Sequence, residues 1–358
     1  MRTADFDYTL PPELIAQKPV AERDQSRLLV LQRPQGGIAH RRFRDFPQYL
    51  RSGDVVVLNN SRVIAARLRA AKAGSAGQIE MLLVEENARN DWWVMLRPGK
   101  RVRAGTKIIL ANRHGQPTEI SATVIEKNAQ GCCRLQFSGS ASILEVLDSI
   151  GEVPLPPYIA RDAPNRSEDD RERYQTVYAQ TDGSVAAPTA GLHFTKPLLD
   201  EIRSRGVEVC FVTLHVGPGT FAPVKGQNLD RHVMHAERFQ ISAVAARAIN
   251  DARRSGRRVV AVGTTSLRVL ESVAAENRGL LAGCRGATRL FIYPPHEFKI
   301  ADALLTNFHL PRSTLLMLVS AFVTPGQTRG REIILAAYAE AIRQGYRFYS
   351  YGDAMLIL

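Results

Sequence analysis

The chain has 358 residues, 45% of them hydrophobic, and 47 Lys and Arg stand against 35 Asp and Glu, for a formal charge of +12. That length and apolar content exclude a disordered chain or a small disulfide-stapled one and point to about two domains, while the charge favours an anionic partner such as nucleic acid. The N-terminal stretch lacks the apolar core of a signal peptide, and no apolar run approaches the roughly 20 residues of a membrane-spanning helix, so a cytoplasmic protein without membrane segments is expected.

In chain order, "RLLVL" (Arg27–Leu31) reads as a short strand. "GDVVVLNNSRV" reads as a buried strand that runs into the polar cluster Asn59, Asn60, Ser61 and Arg62. From about Ala66 to Ser140 the texture changes to short apolar strands at close spacing, separated by Gly, Asn and Pro turns. That pattern predicts an inserted small β-barrel over 67–149, within an α/β domain built from 1–66 and 150–358. "ASILEVLDSIG" reads as a helix stopped by Gly151. The Pro-rich and then charged stretch after it reads as a functional loop or a linker.

Helix and strand then alternate. Helices are expected at "KPLLDEIRSRG", "VAARAINDARRSG", "TSLRVLESVAAE", "STLLMLVSAF" and "REIILAAYAEAIRQG". Strands are expected at "VEVCFVTLHV", "RRVVAVG", "RLFIYP" and "YRFYSYGDAMLIL". The alternation implies a mixed, mostly parallel sheet with flanking helices. The four cysteines Cys132, Cys133, Cys210 and Cys284 lack zinc-finger spacing, suit a reducing compartment and are expected to be structural.

Several polar loops follow predicted strands, which is where open α/β sheets hold ligands. In "VVAVGTTSLR", a strand ends at Gly263, and Thr264, Thr265 and Ser266 are expected to cap a helix whose free N–H groups suit an anion or a polar ligand edge. Arg268 lies one turn in. The stretch has neither the P-loop lysine nor GxGxxG spacing. In "LLTNFHLPRSTLLML", Asn307, His309 and Arg312 gather before a capped helix. "TLHVGPGTFAPV" begins as a strand and breaks at His215, with Gly217 and Gly219 on either side of Pro218. From its residues alone it is a turn between strands or a ligand loop. His193 sits in "PTAGLHF". Histidines that titrate near neutral pH suit acid–base work, and they equally serve as structural hydrogen bonders. His232, His235 and Glu237 do not have a zinc spacing, and no metal is expected. Basic clusters at His40–Arg44, Arg97–Arg103 and Ala252–Arg258, with Phe43, Trp92 and Trp93 nearby, suit phosphate contact and base stacking, or are solvated surface and barrel core.

Taken together, "DFDYTLPPELIAQKPVAERDQSRLLVL", "GDVVVLNNSRVIAARL", "VAAPTAGLHFT", "FVTLHVGPGTFAPV", "VAVGTTSLRVLES", "TNFHLPRSTLLMLVSAF" and "YRFYSYGDAMLI" resemble the S-adenosylmethionine:tRNA ribosyltransferase-isomerase family of queuosine biosynthesis. The matching stretches span the chain in family order. The resemblance implies transfer and isomerisation of the ribosyl part of S-adenosylmethionine onto 7-aminomethyl-7-deazaguanine at the tRNA wobble position. The product would be epoxyqueuosine-tRNA, with adenine and methionine released. It implies S-adenosylmethionine as a consumed substrate, no cofactor, and tRNA as the partner of a cytoplasmic monomer. Under it His215, His193 and His309 are the candidate acid–base set. Asn59, Asn60, Arg62, Gly217, Gly219, Thr220, Thr264, Thr265, Ser266, Arg268, Asn307 and Arg312 are the candidate substrate-binding residues. One departure stands out: Pro295 and His296 occupy the place where the family turns through glycine and an aromatic residue, and proline supplies no N–H there. The competing readings are another tRNA-modifying transferase, by base exchange or methyl transfer, and a non-catalytic RNA-binding protein.

Overall fold

A computed structural model describes residues 1–33, 35–74, 77–100, 102–128, 131–161, 168–217, 219, 226–229 and 232–358. The chain opens with 3-10 turns and then a hairpin of β1 (Arg27–Gln32) and β2 (Gly37–Arg42). β3 (Val55–Asn59) is followed by the short β4 (Ser61–Val63). Six strands then close into an antiparallel barrel: β5 (Arg67–Lys72), β6 (Gln78–Ala88), β7 (Asp91–Arg97), β8 (Lys107–Ala111), β9 (Pro117–Lys127) and β10 (Cys133–Ser138). Closure comes from β5 pairing β8, with Ala70 opposite Leu110, and it leaves no free sheet edge around the ring. Alternation along these strands points Met81, Leu83, Val94, Ile108, Val124 and Leu135 inward. Trp92 belongs to this core, while Trp93 is half-buried. The helix α1 (Ile143–Ile150) plugs the barrel with Ile143, Leu147 and Ile150, and β11 (Gly151–Glu152) pairs β5.

After α2 (Glu168–Arg173), β12 (Thr181–Ser184) pairs β4 in parallel. The α/β rhythm then runs through α3 (Lys196–Ser204), β13 (Glu208–Leu214), β14 (Glu237–Ile241), α4 (Ala243–Arg254), β15 (Val259–Val262), α5 (Gly263–Glu276), β16 (Cys284–Thr288), β17 (Ala303–Asn307), α6 (Thr314–Val323), α7 (Gly330–Arg343) and β18 (Ala354–Ile357). Side-chain caps start three of the helices. Thr195 accepts from Leu198 N, Ser242 from Ala245 N and Ser313 from Leu316 N.

The nine-stranded sheet has the order β16-β14-β13-β3-β15-β17-β18-β1-β2. The expected parallel pairing holds for the centre, β13-β3-β15-β17, and for β18-β1. β14, β16, β18 against β17, and β2 add four antiparallel contacts, so the sheet is evenly mixed. The parallel centre places the carboxyl ends of β13, β3, β15 and β17, at Leu214, Asn59, Val262 and Asn307, along one edge. The centre is buried on both faces. Val55, Val57, Ala261 and Leu304 meet α4, α5 and α6 on one side, and Val56, Leu58, Val260 and Leu305 meet Phe43, Phe46, Phe194 and α3 on the other.

One expected strand is absent. "RLFIYP" lies outside the sheet, and the edge strand is instead the preceding β16. Thr288 Oγ1 accepts from Leu290 N at 3.0 Å, which turns the backbone off the ladder, and Pro294 and Pro295 supply no N–H to resume it. The four cysteines are free thiols, with Cys133 and Cys210 buried. Among the described residues no helix is long and apolar enough to cross a membrane.

Candidate active site

The carboxyl ends of β13, β15 and β17 border a small cleft that opens to solvent. Val216 lines it just beyond β13, Gly263, Thr264 and Thr265 line it at the start of α5, and Thr306, Asn307 and His309 line it at the end of β17. The 3-10 turn Thr189–His193 closes the fourth side with Thr189 and Ala190. Gly263 makes the strand-to-helix corner at φ +83°, a left-handed backbone that only glycine adopts without strain. The corner brings the first N–H groups of α5 to the cleft, where they suit a negatively polarised ligand edge.

The expected cap cluster is corrected here. Val262 is the residue before the helix, and no side chain caps it. Thr264, Thr265 and Ser266 are instead buried inside the first turn, and Thr265 Oγ1 and Ser266 Oγ have no hydrogen-bond partner. Unpaired buried hydroxyls cost stability, so Thr265, which lines the cleft, is a site where a ligand would recover free energy.

Asn307 carries the most informative hydrogen bonds. Its Nδ2 donates to Tyr349 O at 3.0 Å and to His193 Nε2 at 3.3 Å. Nε2 is therefore an acceptor and the His193 proton sits on Nδ1, 2.7 Å from Ser26 Oγ, which in turn donates to Arg23 O at 3.3 Å. Asn307 Oδ1 is left buried without a donor. His193 stacks on Phe43 at 4.9 Å between ring centroids. His309 faces the cleft and bonds Thr306 Oγ1 through Nε2 at 2.8 Å.

Burial pushes His193 down to about 3, with Arg23 and Arg347 pushing the same way, and burial alone pushes His309 down to about 3. Both are neutral hydrogen bonders at pH 7, the second of the two roles open to histidines in these loops. His215 is different. It is half-buried beside Gly183, its backbone N–H bonds Arg238 O, and its Nδ1 is buried without a partner. Burial and Arg238 lower its pKa, and Asp182 opposes them.

The remaining predicted residues scatter. Asn59 is fully buried, and its amide serves β13: Nδ2 donates to Leu214 O, while Oδ1 accepts from Leu214 N and Ser61 N. Asn60 accepts from Thr213 Oγ1 and donates to Gln180. Arg62 is exposed, 3.7 Å from Asp182. Arg312 has backbone φ +55° and points to the surface, where it pairs with Asp7 and not with the cleft. Arg268 forms a buried ion pair with Glu237, whose other oxygen accepts from Gly217 N at 3.1 Å. A Cβ on Gly219 would come within 2.5 Å of the His235 ring. Thr220 lies outside the described residues, as does Pro218. No group of three His, Cys, Asp or Glu among the described residues is placed to hold a metal. His296 packs edge-on against Phe298, away from the cleft lining.

Of the basic clusters, the one at 252–258 is partly neutralised: Arg258 pairs with Asp54 at its strand edge and Arg254 with Asp251. Arg41 and Arg42 stay exposed. Sequence reasoning missed Thr189, Ala190 and Thr306 as cleft walls and Glu237 as the partner of Arg268. Thr306 had a signal, a polar residue at the end of an apolar strand. Glu237 had none as a partner, because its contact is non-local.

Comparison with known proteins follows the same outline. A family model described as queuosine biosynthesis protein matches residues 3–357. The chain is 52% identical to the S-adenosylmethionine:tRNA ribosyltransferase-isomerase of Moorella thermoacetica and 49% identical to that of Acetivibrio thermocellus, each over 100% of both chains. It is similar to the crystal structure of S-adenosylmethionine tRNA ribosyltransferase from Thermotoga maritima, with a TM-score of 0.54 and 37% identity over 99% of this chain and 100% of that one.

Proposed function

This chain belongs to the queuosine biosynthesis protein family, and we propose that it is an S-adenosylmethionine:tRNA ribosyltransferase-isomerase. It transfers the ribosyl part of S-adenosylmethionine to the aminomethyl group of 7-aminomethyl-7-deazaguanine in tRNA, rearranges it to the epoxycyclopentane of epoxyqueuosine, and releases adenine and methionine. S-adenosylmethionine is the donor consumed, and the enzyme works as a monomer in the cytoplasm without a further cofactor. The observation that supports the placement is the pair of unpaired buried polar atoms on residues lining the strand-end cleft, Thr265 Oγ1 and Asn307 Oδ1. Nucleoside-like hydroxyls and ring nitrogens are the partners such atoms lack.

The roles divide by chemistry. His309, neutral and on the cleft wall, hydrogen-bonds the departing or attacking nucleobase edge. His193 positions Asn307 through Nε2. His215, with a free ring nitrogen, is the residue that exchanges a proton beside the sulfonium. A single-stranded anticodon base splayed from its stack suits an open cleft on a basic protein.

The test supplies S-adenosylmethionine labelled in its ribose with tRNA bearing the deazaguanine precursor. Adenine release matched by label in the tRNA is expected. Formation of S-adenosylhomocysteine, or no turnover of both substrates together, overturns the reading. Light scattering at a mass other than one chain of 39.6 kDa overturns the monomer.

A further inference from the structure

A second small cleft, open to solvent, is lined by Leu192 and His193 of the Thr189–His193 turn. Its walls include Pro19, Val20, Arg23, Arg173, His193 and Tyr351. Two guanidiniums enter it, and among the described residues both are anchored only by main-chain carbonyls. Arg23 donates to Leu192 O at 3.1 Å and Glu172 O at 2.9 Å, and Arg173 donates to Ala21 O at 2.9 Å and to Val20 O. A guanidinium has five N–H donors, so each keeps donors to spare, and Arg173 Nε is buried with no acceptor among the described residues.

Neither arginine has a carboxylate at ion-pair distance among the described residues. The buried carboxylate nearby, Asp170, already accepts from Arg161 Nε at 2.8 Å and Nη2 at 2.9 Å, and from Tyr351 OH at 3.2 Å. Burial and then the neighbouring Arg173 work against the charge on Arg23, with Glu172 opposing them, and burial opposes the charge on Arg347, whose carboxylate neighbour Asp353 supports it while accepting from the backbone of Arg27 and Arg347. Arginine stays protonated in such a place, so the cleft keeps positive charge, which Glu172 offsets only at longer range than an ion pair among the described residues. The field reaches His193, whose proton is disfavoured by Arg23 and Arg347 after burial.

We infer that the Arg23–Arg173 cleft is an oxyanion subsite that takes a phosphodiester of the tRNA or the α-carboxylate of S-adenosylmethionine. His193 on its wall accepts from Asn307 on the wall of the strand-end cleft at 3.3 Å, so one hydrogen-bonded pair of side chains separates the two clefts. This inference rests on the proposed function for its choice of ligands, though the site's affinity for an oxyanion stands apart from it. The planar forks and spare donors suit bidentate recognition of a phosphate or carboxylate.

The experiment compares wild type with Arg23→Gln and Arg173→Gln, with Arg23→Lys and Arg173→Lys as variants that keep the charge but lose the fork. Inorganic phosphate is the probe in a thermal-shift titration and as a competitor of each substrate. Wild type is expected to gain melting temperature with phosphate, and the Gln variants to lose that gain, with the Lys variants in between. A phosphodiester occupant raises KM for tRNA about tenfold or more in the Gln variants, lowers the salt slope of anticodon stem-loop binding by about one, and makes phosphate compete with tRNA. A carboxylate occupant raises KM for S-adenosylmethionine and makes phosphate compete with that substrate instead. If phosphate neither stabilises wild type nor competes with either substrate, the subsite is refuted, whether or not the Gln variants fold. Wild type that binds phosphate here but turns over neither substrate would refute the proposed function and leave the oxyanion site standing.

Discussion

Acidification between pH 7.5 and 5 is expected to weaken the fold through two named side chains. His193 and His309 are buried with values near 3, against 6.5 in an exposed chain. The unfolded chain therefore takes up their protons first. The stability they contribute is whole above pH 6.5 and is lost as the pH falls toward 3. At pH 5 each is 1.5 units below 6.5, worth about 2 kcal/mol at ~1.4 kcal/mol per unit, or roughly 4 kcal/mol for the pair. Urea unfolding of wild type, His193→Gln and His309→Gln across that range reads the effect directly, provided the m-value stays constant. Each variant starts less stable at pH 7.5, because it loses the ring's packing and hydrogen bonds. Its loss on going to pH 5 is then about 2 kcal/mol smaller than that of wild type. His215, His232 and His296 are also depressed by burial and add to the slope, while buried Glu271 and Asp353 are raised and act with the opposite sign. All five remain in both proteins, so they cancel in the difference. Parallel stability curves for wild type and both variants would refute the reasoning, since they would mean the rings charge in the folded protein as easily as outside it.

Glu237→Gln leaves Arg268 as an uncompensated buried cation and is expected to cost about 3 kcal/mol in urea unfolding, whereas Arg268→Met with Glu237→Leu recovers most of that loss. A cost below 1 kcal/mol for the single variant contradicts the pair's role. In Gly191→Ala, the new Cβ would sit 2.0 Å from Tyr178 Oη and 2.9 Å from Thr176 Cγ2, displacing the turn that carries Ala190 and His193. Melting temperature and turnover should both fall, and adding Tyr178→Phe should restore part of each, because that hydroxyl has no partner to lose. Asn307→Leu removes the donor to His193 and the free acceptor in the cleft. Turnover should drop about tenfold to a hundredfold in steady-state assays, with a far-UV spectrum like that of wild type; unchanged turnover would remove Asn307 from the site.

The barrel and the α/β alternation were legible because local patterns carry them: period-two strands between glycine turns, and helices stopped at Gly206, Gly256 and Gly345. The strand-end cleft was legible in part, since Thr264, Thr265, Asn307 and His309, polar residues at the ends of apolar strands, do line one cleft. Side-chain direction was not legible. Arg312 follows His309 by three residues, yet a left-handed backbone turns it to Asp7 near the N-terminus. Asn59 looked like a ligand residue, but its amide satisfies the backbone of a strand distant in sequence. The depressed pKa values of His193 and His309 arise from burial by segments scattered along the chain, and no spacing rule encodes that.

β18 occupies an interior position of the large sheet, with Leu28 of β1 opposite Ala354 and Leu304 of β17 opposite Ile357. Translation makes β1 more than 300 residues before the strand it must lie beside. At ~5–20 residues per second, that interval is roughly a quarter of a minute to a minute. Throughout it the β1–β2 hairpin displays an unpaired inner edge. The barrel needs only neighbours from Arg67 to Glu152 and closes its ring well before then. Birth of the protein thus passes through a species with a finished barrel and a split sheet, open along a hydrophobic seam. In the cell, that seam marks the nascent chain as a client for holding chaperones and as the step most exposed to stalled synthesis.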